Sequence, residues 1–279
     1  MQKMMKKYFP IFVLPTAIAF VMGHMVPFIM AFYLSFCSFT TVNDAKFVGL
    51  SNYIKAFSDP TYMHSMLFTT LFTIVTVILI NVLAFLIALG VTSKIRGTTI
   101  FRTVFFMPNL IGGIVLGYIW QLLLNGILAH WQKTLTYSSV YGFWGLVMLV
   151  CWQQIGYMMI IYIAGIQNLS GEMIEAAQVD GANWRQRLFS IIIPSLRPSI
   201  LICTFLTLTN GFKLFDQNLA LTAGEPSHAT EMVALNIYNT FYGSSASYRG
   251  VGQAKAVIFA IILAIIGFAQ MKIQSGKGE

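Results

Sequence analysis

EMIEAAQVDGANWRQRLFSIIIP, residues 172–194, interrupts a chain that is 57% hydrophobic and only 9% charged. It holds three of the nine acidic residues: Glu172, Glu175 and Asp180. Ser170 stands where it can cap a helix, and Glu172 falls in the first turn, where negative charge suits the helix dipole. Gly181 can take the left-handed conformation that ends a helix. Asn183 followed by Gln186 has the spacing of a capping box for a second helix. Trp184, Leu188, Ile191 and Ile192 then fall at i, i+4, i+7 and i+8, on one apolar face. Pro194 and Pro198 stop that helix. The stretch predicts a compact helix–turn–helix held at a membrane surface. The residues leave two uses open. The second helix can rest in the lipid interface with Trp184 as its anchor. Alternatively, the first helix is a knob that plugs into another protein, with Ala176 and Ala177 leaving room for close approach.

The rest of the chain supplies the membrane. Mean hydropathy is +0.74, whereas a soluble domain of 279 residues carries about 25% charged residues. Several apolar runs exceed the length a helix needs to cross a bilayer core of about 30 Å. They predict an all-α membrane protein, one domain over 1–279, with about six transmembrane helices near 10–36, 66–91, 100–124, 141–166, 199–221 and 254–271. The start, MQKMMKKYFPIFVLPTAIAF, has the basic and apolar regions of a signal peptide. Its apolar run continues to Phe36, too long for such a peptide, so an uncleaved first span is expected. Pro15, Pro27 and Pro108 lie inside spans and imply kinks. Gly113 and Gly117 form a GxxxG, read as ordinary close packing. A short helix capped by Thr230 is expected over 231–241.

Lysine and arginine set the orientation. Lys3, Lys6, Lys7, Lys94, Arg96, Arg102, Arg185, Arg187, Arg197, Lys272 and Lys277 fall on one side. Lys46, Lys55, Lys133, Arg249 and Lys255 fall on the other. Eleven against five places both termini and the 167–198 loop in the cytoplasm. The net charge of +8 is thereby explained as topological bias, and nucleic acid is not an expected partner. Cys37, Cys151 and Cys203 lack metal-like spacing and are odd in number, so neither a zinc site nor a disulfide framework is expected. There is no GxxxxGK[ST] run, hence no phosphate-cradling loop. No catalytic or metal-binding residues are assigned, and no enzyme activity is expected of the chain alone.

The fifth apolar run, ILICTFLTLTNGFKLFDQNLAL, carries Lys213 and Asp216 at i and i+3. Charges at such depth cost about 2.5–3.5 kcal/mol each, so they are expected to face protein or water. They can pair on one helix face, and Asn210 and Gln217 share that stripe, with Gly211 loosening the helix. This face is read either as a polar solute pathway or as an ion pair joining two subunits. Asn81, Gln153 and Gln154 can join such a pathway or make interhelical hydrogen bonds. Trp152, Tyr157 and Phe212 can stack on sugar rings or serve as packing.

Glu175-Ala176-Ala177, three residues, Gly181, nine residues, Ile191, one residue, and Ile193-Pro194 resemble the EAA loop of bacterial ABC-importer permeases, in the form of the carbohydrate-uptake branch (maltose and glycerol-phosphate type). Arg102 through Pro108 is similar to the start of that family's third span. Trp152 through Ile166 with Gln167-Asn168-Leu169 is similar to its fourth. Phe215-Asp216, Leu221 through Pro226 and Thr230 resemble its fifth span and the following loop. Glu225 stands where the family has a second glycine, and Gly171 where it has a proline. The resemblance implies a multi-pass bacterial cell-membrane subunit that translocates a sugar or oligosaccharide. Its partners would be a second permease (a distinct paralogue), two cytoplasmic ATPases that hold ATP and Mg, and an extracellular solute-binding protein. This chain itself would carry no cofactor. By the same resemblance, Glu172, Glu175, Ala176, Ala177, Asp180, Gly181 and Trp184 would contact the ATPase. The alternatives are a permease for another polar solute (a glycerol phosphodiester, polyamine or peptide) and an ion-coupled secondary transporter using Lys213 and Asp216.

Overall fold

The structure, a computed structural model, describes residues 2–92, 97–245 and 248–275. Lys94, Arg96 and Lys277 of the charge count lie outside the described residues. The helices are α1 (Gln2–Phe20), α2 (Val26–Leu34), α3 (Ser51–Phe57), α4 (Pro60–Thr92), α5 (Thr98–Phe106), α6 (Gly113–Ala129) and α7 (Ser139–Gln167). They continue with α8 (Gly171–Val179), α9 (Trp184–Arg187), α10 (Ile193–Ser195), α11 (Arg197–Phe212), α12 (Asp216–Leu221), α13 (Val233–Tyr238) and α14 (Arg249–Ser275). Two short strands, β1 (Cys37–Ser38) and β2 (Lys46–Phe47), pair antiparallel, with Cys37 opposite Phe47.

Four helices are long and apolar enough to cross a membrane unbroken: Val13–Leu34, Pro60–Thr92, Ser139–Gln167 and Arg249–Lys272. Two more spans exist if bent pairs count as one each. Thr98–Leu110 and Gly113–Ala129 meet at 101°, and Trp184–Ser195 and Arg197–Phe212 at 66°. The first bend follows Pro108, where the chain tightens into the 3-10 segment Met107–Leu110 and Ile111 becomes extended. Pro27 produces a different distortion. The helix widens into the π segment Val21–Met25, and Val26 N–H reaches back to the Val21 carbonyl. α1 stays α-helical through Pro15.

The chain forms two compact units. One comprises Met1–Tyr62 and Ile237–Ile262. In it, Asn52 donates its side-chain amide to the Ser35 and Cys37 carbonyls, at 2.9 Å each. The Asp44 carboxylate accepts the Thr40 and Thr41 backbone N–H groups. Lys255, only 1% exposed, is held by Asp59 at 2.6 Å and Thr240 at 2.8 Å, with its ammonium 5.1 Å from the Tyr62 ring centroid. Partial burial raises the Asp59 pKa, but hydrogen bonds from Lys255 and Thr61 and the Lys255 charge outweigh it, leaving the carboxyl below its usual range.

The second unit comprises Met63–Asn236 and Leu263–Glu279. α7 is its axis: 67% of its most apolar window is buried, whereas 6% of the Val13–Leu34 window is. Leu146, Leu149, Met158, Met159 and Tyr162 of α7 pack against Phe72, Ile80, Leu116 and Cys203. The apolar side chains that remain uncovered suit lipid, where no water drives them inward. Cys37, Cys151 and Cys203 are all buried and unbridged. The helix expected over 231–241 begins at Val233 and continues past α13 as a π segment, Asn239–Gly243. Thr230 does not cap it, since its hydroxyl donates to the Glu225 carbonyl. Thr69, distant in sequence, accepts the Val233 N–H at 3.0 Å instead.

Candidate functional site

The fifth apolar run is not one helix. α11 ends at Phe212, Phe215 takes a non-helical conformation (φ −127°, ψ −60°), and α12 restarts at Asp216. The sequence supplies the reason. Lys213 sits at the carbonyl end of α11 and Asp216 in the first turn of α12, so each charge stabilises the helix end it occupies. The expectation of an ion pair on one continuous helix face is therefore corrected: no ion pair joins Lys213 and Asp216 among the described residues. Both are exposed into a cavity of about 330 Å³, a size in the range of about 300–1,000 Å³ usual for small-molecule pockets.

Four helical segments build the walls. α7 contributes Gln153 and Gln154, the break after α5 contributes Asn109, and α11 contributes Asn210. The break and α12 contribute Lys213, Leu214, Phe215, Asp216 and Gln217. The amides hold one another across helices. Gln217 donates to Gln153 at 2.7 Å, Gln153 donates to the Ile111 carbonyl at 3.2 Å, and Asn210 donates to Gln154 at 3.4 Å. α12 is held against α6 through the GxxxG. A Cβ on Gly113 would lie 2.7 Å from the Asp216 Cβ, and one on Gly117 would lie 2.7 Å from the Ala220 Cβ. The Gln121 amide closes the contact on the Leu221 carbonyl at 3.0 Å. The GxxxG thus packs within the chain, and its work is to seat the turn that carries Asp216 and Gln217.

Of the six pathway candidates, Asn210, Lys213, Asp216, Gln217 and Gln153 converge here, and Asn81 does not. Asn81 instead accepts from the Tyr162 hydroxyl at 2.8 Å and donates to Thr207 at 3.0 Å, tying α4 to α7 and α11. Trp152 and Tyr157 also stand outside the lining; they pair with Trp120 and Phe106. Phe212 is buried. Asn109 and the lining role of Phe215 escaped the sequence reading. The available signal was Pro108-Asn109, a break followed by an amide inside an apolar run.

The 167–198 loop folds as two short helices around Gly181. The Asp180 N–H reaches the Ala176 carbonyl at 2.9 Å, the Ala182 N–H reaches Ala177 at 2.9 Å, and Gly181 turns with φ +79°. Asn183 and Gln186 exchange side-chain and backbone hydrogen bonds at 2.9 and 2.8 Å. The Ser170 side chain makes no cap bond, although its backbone occupies the cap position. The second helix is not one regular face either. α9 passes into the π segment Leu188–Ile192, leaving Leu188 buried and Trp184 58% exposed. Glu172, Glu175, Ala176, Asp180 and Gly181 are exposed and Ala177 is half-buried. Val179, at the end of α8, is 87% exposed, an apolar side chain presented among acids. Among the described residues, no group of three or more His, Cys, Asp or Glu could hold a metal ion.

Comparison with known proteins gives a consistent result. Residues 89–275 match the family model described as "Binding-protein-dependent transport system inner membrane component". The chain is 40% identical to the "Probable starch degradation products transport system permease protein AmyD" of Thermoanaerobacterium thermosulfurigenes, over 94% of this chain and 91% of that protein. It is 31% identical to the "Multiple sugar-binding transport system permease protein MsmF" of Streptococcus mutans, over 98% and 97% of the two chains. Its fold is similar to a chain of a bacterial ABC transporter involved in the import of the acidic polysaccharide alginate. That match has a TM-score of 0.82 at 17% identity and covers 100% of this chain and 99% of that one.

Proposed function

The chain belongs to the family of binding-protein-dependent transport system inner membrane components, and from that premise we propose that it is the permease subunit of an ATP-driven importer for a sugar or oligosaccharide. The observation that carries this reading is the bare hairpin of α8 and α9, an ordered surface with Val179 87% exposed among acidic residues. An exposed apolar side chain on an ordered surface marks an interaction site, and a protein partner explains it. The partner is a cytoplasmic ATPase, one of two. Glu172, Glu175, Ala176, Ala177, Asp180, Gly181 and Trp184 form the contact. Gly181 serves twice. Its φ of +79° makes the turn, and a Cβ there would meet nothing within 4 Å in this chain, so the space is free for the partner.

The cavity is this chain's share of the solute pathway. Carbohydrate hydroxyls both donate and accept, and the Asn109, Gln153, Gln154, Asn210 and Gln217 amides match them in both senses. A second permease, a distinct paralogue, faces it, and an extracellular solute-binding protein delivers the cargo. The relatives named for starch degradation products and multiple sugars support sugar over a phosphodiester, polyamine or peptide. ATP and Mg belong to the ATPases, and nucleotide binding there shifts the permease pair between two states.

The test is Gly181→Leu, with Glu175→Lys as its partner variant, in the assembled transporter. Uptake and cargo-stimulated ATP hydrolysis should fall to background while the chain still inserts in the membrane. Wild-type stimulation in either variant would remove the hairpin from the coupling role.

A further inference from the structure

The cavity wall carries one ammonium and one carboxylate, Lys213 and Asp216, each at a helix end of opposite partial charge. Neither is neutralised by the other in an ion pair among the described residues. Every other polar group on the wall is an uncharged amide. The wall therefore offers donors and acceptors in mixture and no net charge. A neutral polyol satisfies all of it: its hydroxyls donate to Asp216 and to the amide oxygens, and accept from Lys213 and the amide nitrogens. An anionic cargo does not. A carboxylate or phosphate only accepts, so it gains Lys213 but leaves Asp216 unmatched, and the like charges repel. We infer that Asp216 is a specificity-determining residue that restricts this permease to uncharged sugars, and that Lys213 without it would admit acidic ones. The helix break makes this arrangement possible. In an unbroken helix Lys213 and Asp216 would stand one turn apart and could pair, and the wall would then hold neither a free donor nor a free acceptor of full charge. The inference rests on the proposed pathway role of the cavity.

The experiment uses the whole transporter in lipid nanodiscs without the solute-binding protein, so that the permease pair alone selects. The probes are a labelled neutral disaccharide and the labelled uronic-acid disaccharide of the same ring count, and the readout is the ratio of bound uronate to bound neutral sugar. Asp216→Asn keeps the size and removes the charge. It should raise the ratio about tenfold, and Lys213→Gln should lower it by a similar factor. Gln153→Leu and Asn210→Leu serve as the control for the pathway itself and should weaken neutral-sugar binding. If those two weaken it but neither charge variant moves the ratio, the inference is wrong and the pathway reading stands. If the two amide variants bind neutral sugar as the wild type does, the pathway reading fails and the inference falls with it.

Discussion

The molecule contains two lysine–aspartate combinations that it treats in opposite ways. Lys255 and Asp59 meet at 2.6 Å, with Thr240 and the Tyr62 ring completing the surroundings of the ammonium. Lys213 and Asp216, closer in sequence, stay apart and face a cavity. The first pair has its ammonium enclosed by protein, with Lys255 only 1% exposed, so its use is to hold segments together. Under the proposed pathway role, the second keeps its hydrogen-bonding capacity for a cargo. The same residue types carry different meanings, and what separates them is whether the local chain lets them pair.

Removing one member of each pair should break the comparison cleanly. Lys255→Met leaves Asp59 without its counter-charge and should destabilise the fold by about 3 kcal/mol, the low end for a broken buried pair because Asp59 retains some water. Thermal unfolding of the purified transporter would read this. Lys213→Met should leave stability within about 0.5 kcal/mol while altering uptake. Equal unfolding shifts for both would erase the distinction. A smaller effect should follow from Gly117→Leu, which drives a side chain into Ala220 and the backbone at Gln217. Overpacking of this kind costs about 1–3 kcal/mol. It should also displace α12, so cargo binding should weaken even though no cavity residue has changed.

The smallest effect is in pH. The Asp59 carboxyl lies below its usual range in the folded chain. Its contribution is therefore complete above the unfolded value of about 3.9 and is lost as pH falls through the lower folded value. With Asp59 partly in water, that contribution is at most about 1 kcal/mol. Asp59→Asn should flatten the acid limb of the stability curve by this amount, and an unchanged limb would show that the pair does not report on pH.

The sequence disclosed what is local. Gly181, and the Asn183–Gln186 exchange, are decided within four residues, so the hairpin was legible before any tertiary contact was considered. The four long apolar helices were legible because bilayer thickness sets a length that an apolar run either reaches or does not, whereas that length did not disclose the breaks in the two bent pairs. The cavity was only half legible. Lys213 and Asp216 attracted attention as charges in an apolar run, but a helix wheel assumes an unbroken helix, and the break at Lys213–Phe215 is stabilised partly by those same charges. Asn109 and Gln153 meet the wall from elements far apart in sequence, and Gln217 reaches Gln153 across 64 positions. No window of sequence contains that contact. Asn81 took the interhelical role its sequence also allowed, because an amide in a span must find a partner, and Tyr162 and Thr207 supply it.

The hairpin is suspended between two rods that both reach the same wall. Along α7, Gln154 lies about 20 Å from the loop, and along α11, Asn210 lies about 20 Å from Arg197 at 1.5 Å per residue. The rods match in length but not in stiffness. α7 is unbroken, whereas the return path through α9 and α11 is bent by 66° and contains a π segment. If the hairpin meets an ATPase as proposed, a force applied there would reach the cavity as shear, along one straight rod and one bent one. The Asn210–Gln154 hydrogen bond, already long at 3.4 Å, spans the two rods and is the rung that such a shear would part first.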